Sequence, residues 1–331
     1  EPYPAIASLL LSQLLLDGTM TRKRPEIVED LARLKAQVAF QGDGTSLSSL
    51  LRFPSTSLPG VFTILADTLR HPALSETSFL QLKSRILASS DMLRTTPEIL
   101  AVSRLGQLLS PYGSRDPGRR LSPGEAINAI ESMRVADLRR FHKTCIEAAA
   151  AVVSAVGPVG VSQIEHAAAV HFGNWRAGGA YSPTENVDFV RKFSSTTIEL
   201  RGNPNASLAA GFWVSLKQDD ADYAALLVAN EVLGGGFLDS RLARRLRQNS
   251  GLSYRVQSML RVGSDIRDGK LIIVVNFSPS DHDRVEGGVS EELRRMFDSG
   301  FDRVEVETAK VGLLKSRQLI RSSDMQLAAM I

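Results

Sequence analysis

The spacing of apolar residues is helical through most of the first half of the chain. Apolar side chains recur every three or four positions after Pro25 and again over residues 58–69, as in amphipathic helices. The most apolar run, IASLLLSQLLL at residues 6–16, predicts a buried helix, because a bilayer span needs roughly 20 such residues. Further helices are predicted at residues 75–86, 97–109, 123–133, 135–145 and 161–172.

Strand-like patterns are concentrated in the second half. One buried strand is predicted earlier, at residues 148–156 (AAAAVVSAV), where a continuous apolar run ends at a glycine. The other predicted strands are residues 196–200, 207–216, 254–262 and 271–277, with helices at 220–233 and after Pro279 and Arg303. Residues 176–186 contain Gly, Pro and Ser and are the best linker candidate. Helices that alternate with short groups of strands in both halves predict a repeated α/β unit.

The composition of the chain excludes few classes of protein. A chain of 331 residues, 43% of them hydrophobic, is long enough for two ordinary domains. The formal net charge of +3 and the pI of about 9.1 come from interspersed bases, so a sequence-wide nucleic-acid footprint is lacking. The lone Cys145 cannot form an internal disulfide, and the compartment, periplasm or cytoplasm, stays open. The sequence opens at Glu1 without a methionine and ends at Ile331 within a helical pattern, so we expect further chain at both ends.

The stretch LGGGFLDSRLARRLRQNSGLSY, residues 233–254, is the most informative motif. A dinucleotide-binding loop is disfavoured, because its glycines follow a helical pattern and the sixth position of the fingerprint is Asp239. A Walker loop is absent from it, since no Gly-Lys-Ser/Thr occurs there. Arg241 and Arg245 flank an apolar stripe, which favours a solvated helix face over a nucleic-acid contact. The predicted stripe consists of Leu238, Leu242 and Leu246.

Arg247 and Tyr254 are the candidate functional residues of this motif. At about 100° per residue, Arg247 projects well away from the leucine stripe. The helix then stops near Gly251, and Tyr254 begins a strand-like pattern, so the two side chains can converge on one ligand backbone. Their donors could hold a peptide carbonyl and stabilise an oxyanion. The competing interpretation is structural: Arg247 caps its own helix, and Tyr254 packs in a core.

The motif closely resembles the C-terminal-type repeat of the pitrilysin/insulinase family of zinc metallopeptidases, which includes mitochondrial processing peptidase. Upstream, DGTMTRKRPEIVEDLARLKA resembles the segment that follows the family's active site. SPYGSRDPGRR is similar to the central loop, and VVSAVGPVGVSQIEHAAAVHFGNW to the end of the first α/β unit. The resemblance implies an α+β fold of two homologous units, 1–180 and 181–331. Each unit should have a mixed, mainly antiparallel sheet flanked by helices, as in half of a metallopeptidase chamber.

The same resemblance implies that the zinc site is lost here. In the family, a helix carries H-x-x-E-H shortly before a Gly-Thr pair, and a later glutamate completes the site. Counting back from the Gly-Thr pair at residues 18–19 places the histidine positions on Leu9 and Gln13 and the general base on Ser12. The later glutamate falls on Ser89. Leucine cannot coordinate zinc, and glutamine and serine are poor ligands beside imidazole and carboxylate.

The resemblance also includes the residues that contact the substrate in the family. Arg247 and Tyr254 stand at the positions of the arginine and tyrosine that, in the family, reach across a closed chamber to the substrate. The resemblance therefore implies a zinc-less half that binds peptide opposite an H-x-x-E-H half, fused or separate, which holds the zinc. We expect no cofactor in this chain, no proteolysis by it alone, no nucleic-acid partner and no membrane span. The alternative is a scaffold or assembly subunit of the same fold without proteolytic function.

Overall fold

The structure, a computed structural model, describes residues 3–43, 46–110, 112, 119–149, 151–175, 193–263 and 267–329. The chain forms two compact units. Unit 1 comprises Glu1–Ser90, Glu125–Thr184 and Ile320–Ile331, and unit 2 comprises Asp91–Gly124 and Glu185–Leu319. The predicted boundary at residue 180 and the predicted linker at 176–186 lie outside the described residues. Homology between the two halves stays a prediction.

Regular elements occupy most of the described residues. The α-helices are α1 (Pro4–Leu14), α2 (Arg24–Arg33), α3 (Leu58–Arg70), α4 (Glu76–Ala88), α5 (Ser90–Thr95), α6 (Pro97–Leu108), α7 (Pro123–Ser132), α8 (Val135–Cys145), α9 (Val161–Phe172), α10 (Tyr223–Asn230), α11 (His282–Ser299), α12 (Arg303–Arg321) and α13 (Asp324–Ala328). The strands are β1 (Gln37–Gly42), β2 (Leu47–Arg52), β3 (Ala206–Val214), β4 (Ser253–Arg261) and β5 (Gly269–Phe277). None of the described helices has both the length and the apolar character of a membrane-spanning segment.

Unit 1 is mainly helical. Its described strands, β1 and β2, form an antiparallel pair. Helix α1 is apolar on more than one face, and Ala7, Leu10 and Leu11 are fully buried, as expected for the most apolar run of the sequence. A smaller cluster forms where Leu58 and Phe62 of α3 pack with Ala167 of α9.

In the described part of unit 2, three strands form an antiparallel sheet in the order β3-β5-β4. Strand β5 lies in the centre and is apolar along most of its length, so its side chains are buried on both faces of the sheet. One face carries the core cluster that includes Leu242, Leu246 and Val285. Because Gly211 of β3 has no side chain, α6 can pack closely against this strand. A Cβ at this position would lie 3.2 Å from the Leu105 side chain.

The predicted α+β class is confirmed, but two predicted strands are wrong and one pair was missed. The described residues of 148–156 form no strand, and residues 151–155 are exposed. Residues 196–200 are also irregular and mostly exposed. Apolar composition favours a strand only where another strand supplies hydrogen bonds, and neither segment has such a neighbour within the described residues. The missed pair is β1 and β2, in which QVAFQG and LSSLLR give weak alternation.

Candidate functional site

The glycine-rich segment after α10 packs against the sheet of unit 2. It forms a π-helical turn, Glu231–Gly235, of a kind often found at functional sites. A Cβ on Gly234 would lie only 2.7 Å from the main-chain nitrogen of Ser258 in β4. The Ser258 hydroxyl in turn donates a hydrogen bond to Oδ1 of Asn230 at 2.8 Å. Close packing of helix on strand therefore explains Gly234, without a bound phosphate.

The arginine-rich helix starts later than the sequence pattern predicts. The chain first forms a short 3₁₀ turn, Phe237–Asp239, and Ser240 is extended, so that the helical residues follow it. A π-helical stretch, Ala243–Gln248, completes the helix. Leu242 and Leu246 are buried as predicted, whereas Leu238 is 40% exposed. The predicted leucine stripe is therefore wrong at its first member, because Leu238 precedes the helix.

Arg241 is buried at the start of this helix, contrary to the predicted solvated face. It is 5% exposed and donates to Glu305 of α12 through Nε at 2.9 Å and through Nη2 at 2.6 Å. Nη2 also donates to the carbonyl of Gly300 at 3.0 Å, and the guanidinium lies over the Phe301 ring. Hydrogen bonds from Arg241 lower the pKa of Glu305 to about 2, against the opposing effect of burial. This pair fixes the first turn of the helix on α12.

Gly251 turns the chain from this helix into β4. Its φ of +61° lies in the left-handed region, which side chains other than glycine rarely adopt. The N–H of Gly251 donates to the carbonyl of Arg247 at 3.2 Å, and the N–H of Leu252 donates to Leu246 at 2.8 Å. Carbonyls at the helix end are thus satisfied by the main chain, and β4 begins only two residues after Gly251.

A β-bulge sets the direction of the Tyr254 side chain. Ser253 lies opposite Phe277 of β5, but Arg255 lies opposite the adjacent Asn276, so Tyr254 is an extra residue in the strand. The Ser253 hydroxyl accepts from the Arg255 N–H at 3.2 Å and donates to the Asn276 carbonyl at 2.8 Å, which stabilises the irregular turn of the strand. Bulges re-aim side chains. Tyr254 is accordingly 58% exposed rather than packed in a core.

Arg247 and Tyr254 line the same cavity, of about 270 Å³, in unit 2. Gly234, Gly235 and Ala243 contribute its helical side, and residues 254–259 of β4 form the other side. Arg247 is exposed, and within the described part of the chain neither its guanidinium nor the Tyr254 hydroxyl has a hydrogen-bond partner. Arg247 therefore does not cap its own helix here. The arrangement leaves several donors available to an acceptor in the cavity.

A third polar group beside the cavity was missed at the level of sequence. Arg255 lines the cavity, and its Nη1 lies 3.3 Å from Oε2 of Glu98 in the first turn of α6. Asn276 donates through Nδ2 to the same Glu98 oxygen at 2.5 Å. Arg255 directly follows the candidate Tyr254 and could have been noticed. Glu98 is 157 positions away along the chain, and no local pattern connects the two.

The four positions inferred for a degenerate zinc site lie in unit 1 and do not fit a metal. Leu9, Ser12 and Gln13 are on α1, where the Ser12 hydroxyl donates to the carbonyl of Leu9 at 2.8 Å. Gln13 accepts a long hydrogen bond of 3.4 Å from Arg85 of α4. Ser89 donates to a carbonyl of its own helix. Among the described residues, no group of three His, Cys, Asp or Glu side chains could hold a metal ion. These donors offer neither imidazole nor carboxylate, so zinc does not fit here.

Several solved structures share this fold. A peptidase M16 inactive domain from Pseudomonas fluorescens superimposes with a TM-score of 0.79 at 22% identity, covering 99% of this chain and 77% of that one. A protease from Helicobacter pylori gives a TM-score of 0.79 at 16% identity, covering 99% and 79%. The periplasmic protease PqqL from Escherichia coli gives 0.74 at 15% identity, where this chain matches 36% of the longer protein. At these identities the likeness establishes the fold.

Sequence comparison gives the family. The uncharacterized zinc protease YmxG of Bacillus subtilis (strain 168) is 23% identical over 303 residues, which are 92% of this chain and 71% of that protein. The family model for the peptidase M16 inactive domain matches residues 132–313, more than half of the chain. This confirms the resemblance to the non-zinc half of the pitrilysin/insulinase family. The chain belongs to the peptidase M16 inactive-domain family.

Proposed function

We propose that this chain is the peptide-binding, zinc-less half of an M16 metallopeptidase and presents Arg247 and Tyr254 to the substrate. An H-x-x-E-H half, in the same polypeptide or in a separate subunit, would hold the zinc. One observation carries the proposal: two side chains whose donors have no partner among the described residues, one from a helix end and one from a strand bulge, line one cavity. Membership of the inactive-domain family supports the division of labour between two halves.

The chemistry follows from the donors. When bound in the partner half, zinc supplies an activated water for attack on a peptide carbonyl. Arg247 offers a planar, permanently charged guanidinium, and Tyr254 offers a phenolic hydroxyl. Together they can orient the substrate carbonyl and stabilise the negative charge that develops on its oxygen. Interactions that are strongest at this charged stage raise turnover rather than ground-state affinity.

Steady-state kinetics of the complex with the zinc-bearing half tests the proposal. Arg247→Ala and Tyr254→Phe should each lower kcat more than they raise KM, because the lost donors act mainly in the transition state. Removing one such donor typically costs about 10² to 10³ in rate. If Arg247 holds the peptide equally before and during reaction, KM will rise while kcat stays constant.

The matched control is Arg245→Ala on the same helix. Arg245 is paired with Glu291 at 2.6 Å and does not line the cavity, so its loss should leave activity within about twofold. Co-purification of each variant with the partner establishes that the complex is intact. Wild-type kinetics for both Arg247→Ala and Tyr254→Phe in intact complexes would exclude the pair from catalysis and favour a scaffold role.

A further inference from the structure

The orientation of Tyr254 is not fixed by its own side chain. Tyr254 is 58% exposed, and its hydroxyl has no hydrogen-bond partner among the described residues. As the extra residue of the β-bulge, it also has no opposite residue on β5. The direction of its side chain therefore depends on what holds the residues on either side of it, Ser253 and Arg255.

Both of these neighbours are connected to one carboxylate, that of Glu98 in the first turn of α6. On one side, Arg255 donates from Nη1 to Oε2 of Glu98 at 3.3 Å. On the other side, the Ser253 hydroxyl donates to the main-chain carbonyl of Asn276 at 2.8 Å. Nδ2 of Asn276 then donates to the same Glu98 oxygen at 2.5 Å. These contacts form a bridge from Ser253 to Arg255 that passes through Glu98.

The bridge depends on an acceptor at position 98. Asn276 is 6% exposed, and Glu98 is the one hydrogen-bond partner of its side chain within the described residues. A buried amide that loses its acceptor must reorient or bind water instead. The Arg255 guanidinium has one other side-chain contact in the described part of the chain, with Gln257 at 3.5 Å, which is long for a hydrogen bond. Loss of the Glu98 carboxylate would therefore release both sides of the bulge.

Stability alone does not account for the ion pair. The side chains of Arg255 and Glu98 are 52% and 28% exposed, and pairs as exposed as this contribute little to folding. Helix α6 is nevertheless a firm support, because it packs closely on β3 at Gly211. A contact of low stabilising value that ties a rigid helix to the bulge beside the cavity is suited to fixing geometry.

We propose that Glu98 is a positioning residue: it accepts hydrogen bonds from Arg255 and Asn276, fixes the β4 bulge and so directs Tyr254 into the cavity. This inference rests on the proposed function and adds to it a residue far from the motif in sequence. Glu98 does not line the cavity, so it acts through Tyr254 and not on the substrate.

Fluorine NMR of the full chain on its own tests the geometry. The five tyrosines are replaced by 3-fluorotyrosine, and the signal that is absent from Tyr254→Phe is assigned to Tyr254. Glu98→Ala should shift or broaden this signal, whereas the signal of Tyr223, in α10 of the same unit, should stay unchanged. Glu98→Gln keeps an acceptor oxygen for Asn276, so its Tyr254 signal should lie closer to that of the wild type.

Steady-state kinetics of the complex with the zinc-bearing half tests the role in turnover. Glu98→Ala should lower kcat about tenfold, less than loss of the Tyr254 hydroxyl itself, with KM within about twofold of wild type. In a Tyr254→Phe background the same change should leave kcat almost unaltered, because no hydroxyl remains to be positioned. Glu98→Gln should recover most of kcat. The matched control is Glu291→Ala, which breaks an exposed pair with Arg245 away from the cavity and should stay within about twofold.

The outcomes separate this inference from the proposed function. An unchanged Tyr254 signal in Glu98→Ala overturns the positioning role, and the proposed function stands if Tyr254→Phe still lowers kcat. An equal loss of kcat from Glu98→Ala in the wild-type and Tyr254→Phe backgrounds also overturns it, because a general structural defect does not depend on the hydroxyl. A shifted signal together with wild-type kinetics for Tyr254→Phe supports the control of the bulge by Glu98 and removes the proposed function.

Discussion

The buried pair of Arg241 and Glu305 gives the most quantitative prediction. Glu305→Gln removes the carboxylate charge while keeping a side chain of similar size and one acceptor oxygen. Arg241, which is 5% exposed, would then be a buried cation without its charged partner. The change should destabilise unit 2 at neutral pH.

Two separate arguments give the same magnitude for this loss of stability. A pKa that falls from 4.5 in the unfolded chain to about 2 in the folded one corresponds to about 3 kcal/mol of stability at neutral pH. Removing one partner of a buried ion pair generally costs about 3–5 kcal/mol. The Glu305 side chain is 12% exposed, and the glutamine keeps an acceptor, so the lower end of that range, about 3 kcal/mol, is expected.

The pH dependence has a defined sign. Because folding lowers the pKa of Glu305, its contribution is complete above about pH 4.5 and is lost as pH falls from about 4.5 towards about 2. The difference in unfolding free energy between wild type and Glu305→Gln should therefore shrink from about 3 kcal/mol near pH 7 to about 1–1.5 kcal/mol near pH 3. Below about pH 2 the folded chain also protonates Glu305, and only there do glutamate and glutamine become nearly equivalent.

Urea unfolding measures both quantities. The chain has two tryptophans, so a Trp175→Phe background leaves Trp213 of β3 as the fluorescent reporter of unit 2. The control is Glu291→Gln, which breaks the exposed pair with Arg245 and should cost less than about 1 kcal/mol. Equal stabilities of wild type and Glu305→Gln near pH 7, or a difference that does not shrink with acidification, would refute the reasoning.

Two further predictions concern the metal and the backbone. The purified, tag-free chain should contain no stoichiometric zinc by elemental analysis and should cleave no peptide on its own. The reason is that the degenerate zinc-site positions lack imidazole and carboxylate groups. Chelator-sensitive proteolysis by the chain alone would contradict this. Gly251→Ala should lower the unfolding free energy by about 1–2 kcal/mol, because alanine is disfavoured at a φ of +61°. Gly287→Ala should instead raise it by up to about 1 kcal/mol, because its Cβ would meet no atom within 4 Å on helix α11. Urea unfolding of both variants checks these signs, and the same effect in both would contradict the backbone argument.

Sequence periodicity predicted the helices well because most of them bury one apolar stripe. It predicted β3, β4 and β5 for a similar reason, since each follows a turn signal and pairs within unit 2. It was wrong at residues 148–156 and 196–200. Their composition favours a strand, but a strand forms only where a second strand pairs with it. Hydrogen bonding between strands depends on segments far apart in the sequence, which no local window contains.

The same distinction between local sequence and long-range packing applies to the candidate site. That Arg247 and Tyr254 line one cavity could be anticipated, because a single continuous motif carries the helix, the glycine and the strand that place them. Arg255 and Glu98 were not found, because their proximity depends on α6 packing against the sheet. The burial of Arg241 was also missed, since its partner Glu305 is 64 positions away.

The geometry also explains why an arginine-rich helix need not be a nucleic-acid surface. Arg241 and Arg244 bind Glu305, and Arg245 binds Glu291, so these three charges are already engaged within unit 2. Of the four arginines on the helix, only Arg247 lacks an ion pair within the described residues, and it lines the cavity beside β4. The helix thus uses three arginines to hold its position and leaves one available to a ligand. The side chain without an ion pair, rather than the number of arginines, therefore makes Arg247 the candidate functional position on this helix.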